Sequence, residues 1–108
     1  YNISFAKQED IESSNGELAT LYHVKADIAF AEHKYDEAMN LYQKSIGIYE
    51  KRYKAIETDK MSELYSRAAE AALKLKDQFF FKFYLERQEK YFGLEHHRTR
   101  ALYQLMLL

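Results

Sequence analysis

The sequence predicts an all-α fold of antiparallel helix pairs, and three observations predict it. The 108 residues contain no proline and only 3 glycines, so the chain nearly lacks the residues that punctuate strands and hairpins. Apolar residues recur at i, i+3, i+4 and i+7, the period of one helix face. The periodic segments are joined by connections of a few residues, which make neighbouring helices run antiparallel. Abundant Ala, Leu, Glu and Lys agree with this, because these side chains lose little freedom in a helix.

The elements follow in order. Ile3, Phe5, Ala6 and Ile11 carry a weak pattern, and the run Ser13 to Gly16 breaks it and offers cap residues. From Glu17 to about Glu32, Leu18, Leu21, Tyr22, Lys25, Ile28 and Ala29 share helical spacing, with Lys25 interrupting the stripe. A short turn at His33–Asp36 follows, with Asp36 expected as N-cap. Ala38, Leu41, Tyr42, Ser45, Ile46, Tyr49, Tyr53 and Ile56 then give the clearest stripe, opposite a solvated face of Glu37, Asn40, Lys44, Glu50, Lys51 and Lys54. After Glu57–Asp59, with Asp59 expected as a cap, Met61, Leu64, Tyr65, Ala68, Ala69, Ala72 and Leu75 form an alanine-rich stripe. A tight turn falls near Lys76 and Asp77, an aromatic helix spans Phe79 to Tyr91, and Gly93 closes it as a C′ glycine. The last helix starts near Glu95 and runs through Leu102, Leu105 and Met106.

The order helix, turn, helix, loop occurs twice. Tyr22 and Tyr65 are 43 positions apart, and Tyr35 and Phe79 are 44 apart, so the chain reads as an internal repeat. Ala26 and Ala38 are small where two helices cross, and a small side chain permits a close crossing. Tyr22, Ala26, Tyr35, Ala38 and Tyr42, with Ser45 at a second small position, resemble the tetratricopeptide repeat. Lys25, Ala29, His33 and Glu50 depart from it where leucine, an aromatic, glycine and proline are usual. Tyr65, Ala69 and Ala72 match in the second unit, whereas Phe81 stands near a small position. A period near 43 exceeds the standard repeat of about 34 residues. Its length is similar to the lengthened repeats of peptide-sensing regulators of Gram-positive bacteria, the Rap, PlcR and Rgg types.

The resemblance implies helix pairs stacked as a right-handed superhelix whose first helices line a concave face. Residues 1–108 then form one helical-repeat domain, with units at about 17–56 and 60–92 and a partial unit at 94–108. The groove-lining positions implied are Thr20, His23, Asp27, Phe30, Glu63, Ser66, Glu70 and Lys74. The expected partner is a protein or peptide, held by a module of a larger regulatory protein. Alternatives are the sensor or dimerisation half of a peptide-responsive transcriptional regulator, and a purely structural helical bundle.

Other chemistry finds little footing in the residues. No Gly-rich phosphate loop, G-x-S-x-G or H-E-x-x-H occurs and cysteine is absent, so the chain is read as no enzyme and as needing no cofactor. The missing cysteine fits a reducing, cytoplasmic setting. His23 and Asp27 lie four apart and share a helix face, but His33, His96 and His97 add no ligand spacing, so no metal site is assigned and the histidines are read as surface residues. A net charge of −1 recruits neither nucleic acid nor an anionic membrane, and the basic run His96 to Arg100 is read as forming ion pairs between repeats. Phe79 to Leu85 carries aromatics around a whole helix, which reads as a helix held between two neighbouring repeats; the alternative is that one or two rings lie exposed as a partner surface. The chain opens on Tyr1 and closes on apolar residues, and is expected to be part of a longer array. Leu102, Leu105 and Met106 are then expected at a contact with further helices or with a second copy.

Overall fold

Five helices follow one another in the computed structural model, which describes residues 16–52 and 58–107: α1 (Gly16–Ala31), α2 (Tyr35–Arg52), α3 (Asp59–Lys74), α4 (Gln78–Phe92) and α5 (His97–Met106). No strand occurs among the described residues. The expected pattern at Ile3–Ile11 and the continuation of α2 to Tyr53 and Ile56 lie outside the described residues.

Helix starts depend on which side chain reaches a free N–H. Thr58, not Asp59, caps α3: its hydroxyl accepts from the Met61 N–H at 3.2 Å, and Asp59 turns instead to Arg98. Asp36 is not a cap either, since α2 already begins at Tyr35 and the Asp36 carboxylate accepts from the neighbouring Glu37 N–H. Asp77 caps α4 by accepting from Phe80 N–H, and the Nδ1 of His96 accepts from Arg98 N–H at the start of α5. Gly93 ends α4 at φ +90°, a backbone angle that costs a glycine little.

The inner turns of the two hairpins are the same object. His33 and Lys76 both take left-handed φ, 64° and 61°. The N–H of Lys34 bonds to the Ala29 carbonyl at 2.8 Å, and that of Asp77 to Ala72 at 2.8 Å; His33 bonds to Phe30 and Lys76 to Leu73, each at 3.0 Å. These paired bonds are the Schellman closure of a helix end. Every member of one set is 43 positions from its counterpart in the other. Tyr35 therefore corresponds to Gln78, and not to Phe79 as the aromatic pairing had it. Lys76 is exposed and occupies a position that favours glycine. Lys76→Gly should raise stability by about 1 kcal/mol, read as a higher urea midpoint. A lower midpoint would mean that the left-handed turn is not held in solution.

Helix order in space follows from the packing. α1 packs on α2, α2 on α3, α3 on α4, and α5 on both α3 and α4. His23 meets Glu63 and Phe30 meets Arg67, so α1 and α3 run parallel. Arg98 meets Asp59 near the starts of α5 and α3, and Leu105 shares a surface depression with Glu70 and Lys74 near their ends. Thus α1, α3 and α5 lie side by side in one layer, with α2 and α4 behind them.

The buried stripe of α1 is Ala19, His23, Ala26 and Ala29, whereas Leu21 and Ile28 are exposed and Leu18 and Tyr22 half-buried. Alanines win the inner face because α1 and α2 approach closely, and both Ala26 and Ala38 are fully buried. The Ser45 hydroxyl donates to the Ala19 carbonyl at 2.7 Å across this contact. The second hairpin solves the same packing differently. Phe81 is buried at the position equivalent to Ala38, and the small residues lie on α3 as Ala68, Ala69, Ala71 and Ala72, all fully buried. Its polar contact, equivalent to Ser45 and Ala19, joins Ser62 to Gln88, and Gln88 also reaches Thr99 of α5 at 3.2 Å. All three side chains are fully enclosed.

Tyrosines tie the layers together. The Tyr65 hydroxyl donates to Glu50 of α2 at 2.6 Å, and Glu50 also pairs with Arg87 of α4 at 3.2 Å. Tyr103 of α5 donates to Glu89 of α4. In the aromatic run of α4, Phe81 and Tyr84 are buried, Phe80 and Phe83 half-buried, and Phe79 is 71% exposed. The contact expected at the end of the chain needs one correction. Leu102 is fully buried within the chain's own core and is not available to an outer partner, while Leu105 is half-buried and Met106 half-exposed.

Candidate functional site

The eight groove positions lie on α1 and α3, and the fold divides them into two groups. The first forms where α1 crosses α3. His23 is buried, with 8% of its surface exposed, so it is not the surface histidine the spacing implied. Its Nε2 lies 2.9 Å from Glu63 Oε2 and 3.5 Å from Asp27 Oδ2. Asp27 and Glu63 are half-buried and reach solvent on their outer sides. Asp27 also accepts a hydrogen bond from Tyr42 of α2. Burial, and then that carboxylate, push the Tyr42 hydroxyl pKa well up, so Tyr42 remains a donor to Asp27 at alkaline pH.

The second group is nearer the C-terminal ends of the same helices. Phe30 packs edge-on against Tyr35 with ring centroids 5.3 Å apart, and the Arg67 guanidinium lies 5.8 Å above the Phe30 ring. Glu70 and Lys74 join Leu73 and Leu105 around an open depression of about 410 Å³. One of the eight contributes little to an open surface, and another is exposed but has its hydroxyl engaged. Ser66 is buried, and Thr20 is occupied within the fold, donating to the Gly16 carbonyl at 2.9 Å and lying 3.0 Å from the Tyr49 hydroxyl.

Arg67 on this face escaped the sequence reading, whereas Arg98 belongs to the basic run read as forming ion pairs. Arg67 covers Phe30, and Arg98 bridges to Asp59 at 2.8 Å while its other nitrogen lies 3.9 Å from Glu63 Oε1. The Arg98 guanidinium holds the Asp59 carboxyl below the usual carboxylate range. The ion pair joins the starts of α3 and α5, and the signal for it was the basic run at His96–Arg100. The face is therefore mixed in charge, with Asp27, Glu63 and Glu70 set among His23, Arg67, Lys74 and Arg98.

No helix among the described residues is long and apolar enough to cross a membrane. In comparisons with known proteins, the chain matches no family model, no curated protein and no solved structure.

Proposed function

We propose that the chain is a tetratricopeptide-like scaffold that holds a peptide or protein segment along the layer of α1, α3 and α5, within a larger regulatory protein. The observation that carries this reading is the parallel alignment of these three helices, which lines up Asp27, Phe30, Glu63, Glu70 and Lys74 along one face. The 43-residue recurrence of the inner turn supports the repeat character of the scaffold. A ligand with alternating apolar and basic residues suits the face: the acids meet the bases, and Phe30 and Leu105 supply apolar contact. Matched charges of this kind mainly set specificity and association rate.

A peptide array read with the chain as probe tests the proposal. Amphipathic, basic peptides are expected to bind, and Glu70→Lys to weaken the best binder about tenfold or more, with a loss of salt dependence. Glu70 is the better site for charge reversal because Asp27 also anchors Tyr42. Unchanged affinity in the Glu70 variant would remove the α1–α3–α5 face as the binding surface.

A further inference from the structure

His23 poses a problem in packing chemistry. Its side chain is nine-tenths buried, and its Nε2 has no hydrogen-bond partner. Buried polar nitrogens are nearly always satisfied, so an exception calls for a physical reason. Two carboxylate oxygens lie within 3.5 Å of the nitrogen, yet neither lies where a ring N–H could donate well to it. A deprotonated Nε2 would hold its lone pair beside two oxygens that also carry lone pairs, 2.9 and 3.5 Å away. Such an arrangement is repulsive unless a cation is shared among the three atoms.

We propose that His23 Nε2, Asp27 Oδ2 and Glu63 Oε2 bind one zinc-like divalent metal ion between α1 and α3. One ligand atom from each of the three residues lies within 4.8 Å of the other two. Ligand atoms held about 2.0–2.2 Å from one zinc ion sit about 3.0–3.5 Å apart around it, edge to edge and off each other's bond axes. The separations of 2.9 and 3.5 Å, with poor hydrogen-bond alignment, match that arrangement. One imidazole and two carboxylates suit zinc and its first-row neighbours, whereas magnesium and calcium prefer an all-oxygen shell.

The surroundings orient the carboxylates for this role. Tyr42 donates to Oδ1 of Asp27 and leaves Oδ2 toward His23. Arg98 approaches Oε1 of Glu63 and leaves Oε2 toward His23. The second oxygen of Asp27 is thus held by a hydrogen bond from α2, as in metal sites with an ordered second shell, while that of Glu63 has the Arg98 charge 3.9 Å away. Three protein ligands leave a fourth tetrahedral position free, and Asp27 and Glu63 are both half-exposed to solvent. The site does not depend on the scaffold reading, since its ligands come from one chain and need no peptide.

The test uses the whole 108-residue chain with zinc and cobalt(II) salts. Calorimetry should give one zinc per chain, and cobalt(II) should develop the visible absorption of a low-coordinate N/O site. Zinc should also shift the His23 ring nitrogen resonances and leave those of His33 unmoved. Glu63→Gln should abolish saturable binding, and as a half-exposed residue it tests the site even if His23→Gln fails to fold. Tyr42→Phe should weaken zinc about tenfold or more while keeping the stoichiometry, because Tyr42 acts only by orienting Asp27. His33→Gln should bind as the parent chain does. The proposal is overturned if zinc at millimolar concentration does not bind, or if binding survives Glu63→Gln. It is equally overturned if His23 titrates as an imidazolium paired with Glu63 and is indifferent to zinc, since a proton would then be the shared cation.

Discussion

Phe81→Ala is expected to cost the fold about 3–5 kcal/mol, the range for emptying a buried phenylalanine site. Phe81 is 3% exposed and occupies the place in α4 that Ala38 occupies in α2. The second half of α3 buries Ala68, Ala69, Ala71 and Ala72, side chains too short to fill the volume of a lost phenyl ring. The mirror change, Ala38→Leu, should fail for the opposite reason: overpacking a close α1–α2 crossing costs about 1–3 kcal/mol. Urea denaturation of both variants gives the comparison. If Phe81→Ala proves the milder of the two, α4 is not seated against the alanine face of α3, and the account of how the hairpins divide their bulk is wrong.

Gln88→Ala should cost about 2–4 kcal/mol, from a small cavity and from two enclosed hydroxyls that lose their shared partner. Gln88 Nε2 lies 2.9 Å from Ser62 Oγ and 3.2 Å from Thr99 Oγ1, and none of the three residues is exposed. Both hydroxyls can turn to carbonyls one turn back on their own helices, which limits the penalty. The decisive variant is therefore the triple change Ser62→Ala, Gln88→Leu, Thr99→Val. If the network stabilises through mutual satisfaction, the triple variant should recover most of what Gln88→Leu alone loses. Equal losses in the single and triple variants would show that the shape of the glutamine matters and its hydrogen bonds do not.

Much of this fold was legible before any coordinates. Periodicity located all five described helices, and the turns at His33 and Lys76 fell where the pattern broke. The inner face of α1 was misread because Leu21 and Ile28 are the larger apolar residues, and size normally predicts burial. In this helix the deciding quantity is the closeness of α2, which admits Ala19, Ala26 and Ala29 and turns the bulkier residues outward. Gln88 and Thr99 gave no sign of burial, since each looks solvent-facing until its partner is known. The site was half visible: the four-residue spacing of His23 and Asp27 is local to one helix, whereas Glu63 comes from another. The repeat offset does map Glu63 onto Thr20, so the first unit has no matching carboxylate from which to infer it.

The paired turns also determine how this chain can be recombined. Joints at His33 and Lys76 have the same backbone and the same hydrogen bonds, so a crossover there would connect smoothly. The helix bodies on either side are not interchangeable parts. Grafting α2 in place of α4 would put Ala38 where Phe81 fills space and leave a void, and grafting α4 in place of α2 would drive Phe81 into a close crossing. Each first helix can exchange only together with its own second helix. The heritable module is the hairpin as a whole, and a library built by shuffling at these turns should yield folded chains only when both halves of a hairpin come from the same unit.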